Sequence, residues 1–173
     1  LNTLSCQLTE GDMELTALTS QNLNVQVNLG DLTLEDLNVA NVSVTDKEGD
    51  ISISKSTMSN LKLNASLGDL DIDSSSFTDS TFSLSEGDTT GTDVTFYKNC
   101  QITSKMGDID LTLPENSLDD LTLSLDTNMG DINVPDKLNG KLVSTADEST
   151  FEKNTPSIQN HLSIQSDDGD ISI

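Results

Sequence analysis

The chain has 173 residues with a formal net charge of −22, and it is 33% hydrophobic and 3% aromatic, with no Trp. Thirty acidic residues against eight lysines and no arginine leave no basic stripe for nucleic acid and would be repelled by anionic membrane surfaces. No apolar run is long enough to span a bilayer, and so few aromatics would fill a compact globule poorly, whereas a thin column can be built from Leu, Ile and Val.

From its first residues the chain repeats. Gly-Asp occurs at Gly11-Asp12, Gly30-Asp31, Gly49-Asp50, Gly68-Asp69, Gly87-Asp88, Gly107-Asp108, Gly130-Asp131 and Gly169-Asp170, with gaps between glycines of 19, 19, 19, 19, 20, 23 and 39. A period of this size marks a solenoid. Two residues after the glycines stand Met13, Leu32, Ile51, Leu70, Thr89, Ile109, Ile132 and Ile171. Five before them stand Cys6, Val25, Val44, Leu63, Phe82, Ile102, Leu125 and Ile164, with polar residues between the apolar columns. Alternation of period two predicts short strands with one buried face. A weaker third strand follows, with Leu18, Leu37, Val94, Val39, Met58, Phe77 and Phe96 directed inward. Low hydrophobicity with high net charge is a composition of disordered chains, and the regular alternation argues against that state here.

These features predict an all-β, single-stranded β-solenoid, a single domain over residues 1–173 with eight to nine rungs of about 19 residues. Gly supplies the abrupt turn at each corner through positive φ. Asp accepts hydrogen bonds from corner N–H groups. Residues 1–106 carry the regular rungs, with one residue inserted near Tyr97. The fifth rung is expected to be under-packed, because Thr89 and Gly91 replace its apolar pair. Residues 107–160 are expected to form longer loops and one degenerate rung, with turns at 114–117 and 135–140, a strand over 118–125 and no strand through Pro156. The terminal rung is expected at 161–173. The start of the chain inside a repeat suggests a piece of a longer protein, with any targeting segment upstream.

The Gly-Asp-Ile/Leu-x-Ile/Leu pattern, with a strand seven residues upstream, resembles the bacterial adhesin-type β-solenoid family, a domain of unknown function. It is similar to the C-terminal domains of LiaX-type envelope-stress proteins of Gram-positive bacteria. The resemblance covers the whole chain and implies a non-enzymatic module at the cell envelope, with no catalytic residues to carry over.

Other chemistry is weakly signalled. The aspartate column would suit Ca²⁺ between rungs only if each corner offered more than one ligand, so corner capping is the expected role and no metal or cofactor is assigned. Cys6 and Cys100 lie five rungs apart, about 24 Å at strand spacing, too far to bridge. They are read as small buried hydrophobes. His161 has no partner set for ligation or base catalysis. The departures from the repeat supply the candidate binding residues, Phe96, Tyr97, Lys141, Phe151 and Lys153, as aromatic and basic groups on an acidic surface. The alternative role for the second of these segments is to seal the end of the stack.

The expected function is therefore a non-catalytic binding, adhesion or stress-sensing module. It would be cell-surface or envelope-associated and extracellular, with a protein, peptide or glycan as partner. A structural spacer is the alternative. A Ca²⁺-loaded β-roll, a polysaccharide-acting β-helix enzyme and an ice-binding face are remote. Such an enzyme would want Lys or Arg for acidic sugars or paired carboxylates in a cleft.

Overall fold

The structure is a computed structural model describing residues 1–155 and 159–173. Pro156, where no strand was expected, lies outside the described residues. The apolar-polar alternation folds as stacked short strands, and six turns follow one another at 19- or 20-residue spacing. The first turn holds β1 (Thr3–Leu8) and β2 (Met13–Thr16), the second β3 (Thr19–Val27) and β4 (Leu32–Glu35), the third β5 (Asn38–Glu48) and β6 (Ile51–Ser54). From the fourth turn the third side is a separate strand. That turn holds β7 (Thr57–Ser59), β8 (Leu61–Leu67) and β9 (Leu70–Asp73). The fifth holds β10 (Ser76–Thr78), β11 (Thr81–Glu86) and β12 (Thr89–Thr92), the sixth β13 (Thr95–Tyr97), β14 (Asn99–Met106) and β15 (Ile109–Thr112). Each strand pairs in parallel with its equivalent one turn away, as in Val44↔Leu63 and Ile53↔Ile72. The separation of the third side coincides with left-handed residues at its corner, Asn60, Asp79 and Lys98. The inserted residue sits at that last corner, since Tyr97 pairs with Thr78 while Gln101 pairs with Thr81.

The rest of the chain comprises α1 (Glu115–Leu118), β16 (Thr122–Met129), β17 (Ile132–Asn133), β18 (Lys141–Ser144), β19 (Ser149–Lys153), β20 (His161–Asp168) and β21 (Ile171–Ser172). Its order in space departs from its order in sequence. β20 lies directly on β14, with Ile102 opposite Ile164, and β16 lies on the far side of β20, with Leu125 opposite the same Ile164. The short strands agree: β21 is between β15 and β17. The stretch that ends the chain is thus inserted beneath the turn that precedes it. Two Gly-Asp turns join the six regular ones in this inverted order, so about six turns follow in regular succession and the count differs slightly from the eight to nine rungs expected.

Residues 141–153 form no degenerate rung. They leave the solenoid as an antiparallel hairpin, β18 on β19, that pairs antiparallel with the outer edge of β16. The expected strand over 118–125 begins only at Thr122, because one helical turn occupies 115–118 and Ser117 Oγ donates to the Pro114 carbonyl.

The core is one continuous column. Phe77 packs edge-on to Phe82 with centroids 5.0 Å apart and stacks on Phe96 at 6.0 Å. Each fully buried Leu, Ile or Phe in such a column contributes roughly 1.5–3 kcal/mol. The fifth rung is filled rather than under-packed: a Cβ on Gly91 would stand 2.6 Å from Leu111 Cδ2 and 3.1 Å from Val94 Cγ2. Those two neighbours take the volume that a side chain there would have occupied. Inward serines finish the corners. Ser56 Oγ donates to the Ser54 carbonyl and accepts from the Leu37 N–H one rung away.

Candidate functional site

The corner column is built for mutual capping. Each aspartate Oδ1 accepts the backbone N–H of the next aspartate in the stack, from Asp31 N–H to Asp12 at 3.1 Å through Asp88 N–H to Asp69 at 2.8 Å. The ladder then follows the order in space: Asp108 donates to Asp88, Asp170 to Asp108, and Asp131 to Asp170. One carboxylate oxygen at each link is thereby committed to the backbone. Among the described residues no group of three or more His, Cys, Asp or Glu is placed to hold a metal ion.

The candidate binding residues are scattered. Tyr97 is 47% exposed at the end of β13, beside a hollow of about 390 Å³, and Lys141 is exposed on the hairpin. Phe96 and Phe151 are corrections, because both are core residues at 3% and 1% exposure and present no surface to a partner. Phe151 closes the end of the column, and its ring lies where a Cβ on Gly140 would fall. Lys153 is also structural. Its ammonium donates to the carbonyls of Leu118 and Leu121, both at 2.7 Å, and to Thr155 Oγ1 at 2.9 Å. It therefore pins the cap to α1. Cys6 and Cys100 are free thiols, and burial pushes the Cys100 thiol up from its ordinary range. His161 is exposed, with its N–H donated to the Lys98 carbonyl.

The residue pattern missed a surface. The long sheet comprises β1, β3, β5, β8, β11, β14, β20 and β16, and its two central outward columns lie six and four residues before each glycine. Those columns are Ser, Thr, Asn and Gln throughout, except for Lys62 and Asp126. The second sheet's outward columns instead carry Glu14, Glu35, Asp71, Asp73 and Asp110 with no lysine. The large negative charge is thus held at the corners and the short sheet, while the long face is neutral.

A crease runs along that face. The register passes from Leu84↔Ala65 to Glu86↔Leu67, and from Ser104↔Ser166 to Met106↔Asp168, leaving Ser66, Ser85, Lys105 and Asp167 outside the ladder. A groove of about 420 Å³ follows the crease across β8, β11, β14 and β20. Its opposite wall is Asn64, Ser83, Thr103 and Gln165. Beneath it the hydroxyls of Ser104 and Ser166 are buried without a hydrogen-bond partner among the described residues.

Asp46 lies in the same inward column, between Val27 and Ala65, and is 1% exposed, with neither carboxylate oxygen in a well-aligned hydrogen bond among the described residues. Burial raises its pKa to about 6, with the Lys47 and Glu48 N–H groups opposing the shift and the nearby Asp31 and Asp50 charges adding to it. Continuing the alternation to the position three before each glycine would have exposed this residue in the sequence.

Residues 1–173 match the family model described as Toastrack DUF4097. No curated protein and no solved structure matches the chain.

Proposed function

Because this chain belongs to the Toastrack DUF4097 family, we propose that it is a non-catalytic binding module that works at the bacterial cell envelope and engages its partner through the long sheet. The observation that carries this reading is the segregation of charge. A protein of net charge −22 keeps one broad, rigid strand face free of acidic excess, where amides and hydroxyls can meet a partner without paying for desolvated charge. The envelope setting rests on the likeness to adhesin-type and LiaX-type domains. Among the described residues no helix is long and apolar enough to cross a membrane.

The test is co-sedimentation of the purified protein with bacterial wall and membrane fractions. Making the long face acidic with Ser43→Glu, Thr81→Glu and Gln101→Glu abolishes sedimentation on this reading. The same load on the short sheet, Thr33→Glu, Ser52→Glu and Ser54→Glu, leaves it intact. Equal loss in both variants contradicts a face-specific partner, and a wild-type protein that never sediments favours a spacer.

A further inference from the structure

We propose that the crease of the long sheet is a binding groove for an extended, uncharged β-1,4-linked polysaccharide, held with about one sugar per rung. This rests on the long sheet being the binding face and names the chemistry of its ligand.

Charge supplies the first argument. The two walls of the groove contain one cation, Lys105, and one anion, Asp167, and are otherwise amides and hydroxyls. Side chains of that kind donate and accept together, as do the hydroxyl groups of a neutral sugar. A polyanion would meet the acidic corners flanking the crease. A polycation would find its charge partners at those corners rather than in the groove.

Spacing supplies the second. Neighbouring strands repeat at about 4.8 Å, close to the advance of successive sugars along an extended β-1,4 chain. Each sugar can therefore find on its own rung one group from each wall: Asn64 with Ser66, Ser83 with Ser85, Thr103 with Lys105, Gln165 with Asp167. An extended peptide advances about 3.4 Å per residue and falls out of step.

Size supplies the third, since a site of about 420 Å³ is within the range of ligand clefts.

The experiment is titration calorimetry of the full chain with two uncharged probes, the β-1,4-linked tetrasaccharides of N-acetylglucosamine and of glucose, and with tetragalacturonate as a charged comparison. At least one uncharged probe binds and is recovered unaltered, while the charged one does not bind. Ser83→Ile with Thr103→Ile fills the groove with residues that suit strands and weakens binding at least tenfold, whereas Ser52→Ile on the short sheet changes nothing. Should the double variant misfold, Gln165→Ala removes a single wall amide and weakens binding at least threefold. Failure of both uncharged probes to bind, or wild-type affinity in the groove variants, overturns the proposal. If the probes fail while envelope sedimentation still depends on the long face, only the saccharide is wrong. If sedimentation fails as well, the binding reading falls with it.

Discussion

Asp46 places a carboxyl in a column whose neighbours are Val27 and Ala65. Its pKa is raised to about 6 from 3.8 in the folded chain, so the folded state holds the proton more tightly than the unfolded state does. Folding is therefore unhindered by this group below about pH 4. The penalty grows as pH rises from 4 to 6 and reaches about 3 kcal/mol above that, at 1.36 kcal/mol per unit. Asp46→Val should raise the melting temperature at pH 7.5 and gain much less at pH 4.5. An equal gain at both values would show that the carboxyl is not buried in its charged form's disfavour. The corner glycines separate two requirements. Gly68 has φ +124°, and a Cβ there would strike the Gly49 carbonyl, whereas Gly11 has φ +107° and a Cβ there would meet nothing within 4 Å among the described residues. Gly11→Ala should cost only its backbone strain, about 1–2 kcal/mol, and Gly68→Ala distinctly more by denaturant titration. Equal costs would mean that the close approach of corners is not a constraint. At Asp69, Asn keeps an acceptor for the Asp88 N–H and relieves repulsion along the column, so Asp69→Asn should match or exceed wild-type stability in low salt. Asp69→Ala should lose about 1 kcal/mol or more.

At the scale of elements, the long and short strands were legible because their inward columns repeat without a break from Val25 to Ile102 and from Leu32 to Ile72. The end of the stack was less legible. Ser149 and Thr150 stand where a Gly-Asp was due, and a pattern of period two does not say whether the next strand pairs parallel or antiparallel. Phe151 and Lys153 therefore read as surface anchors, although the hairpin turns one into the core and uses the other's three donors on the chain itself. Lys153→Met strips the Leu118 and Leu121 carbonyls of that donor. It should cost about 1–3 kcal/mol and speed amide exchange in β16 and β19, leaving exchange in β5 and β8 unchanged. Protection of β16 equal to wild type would show that the lysine does not hold the cap. The groove was illegible for another reason. Its walls are ordinary strand exteriors, and only the interrupted ladder beside them makes a hollow.

For the whole molecule, the inverted order of the last two turns decides what the groove contains, since Gln165 and Asp167 enter it only because β20 lies against β14. The sequence carried a trace of that order. The residues just before the glycines are, going up the stack, Glu10, Leu29, Glu48, Leu67, Glu86, Met106, Asp168 and Met129, strictly alternating acidic and apolar. Taken in chain order the last three would be Met106, Met129 and Asp168, and the alternation would break. Alternation keeps carboxylates off adjacent rungs beside a column already full of aspartates, where like charges about 4.8 Å apart repel. The spacing of 39 between the last two glycines instead invites a missing rung, because a parallel stack carries no rule that later strands lie further out. The most direct measurement is cysteine cross-linking in a background with Cys6→Ser, followed by peptide mass analysis. Thr103→Cys with Gln165→Cys places two outward side chains on paired strands, within the roughly 4.4–6.8 Å Cα separation that a disulfide accepts. That pair should oxidise readily and raise thermal stability. Thr103→Cys with Asp126→Cys, two rungs apart in the inserted order, should remain reduced under the same conditions. Rapid closure of the second pair and not the first would contradict the insertion and dismantle the groove with it.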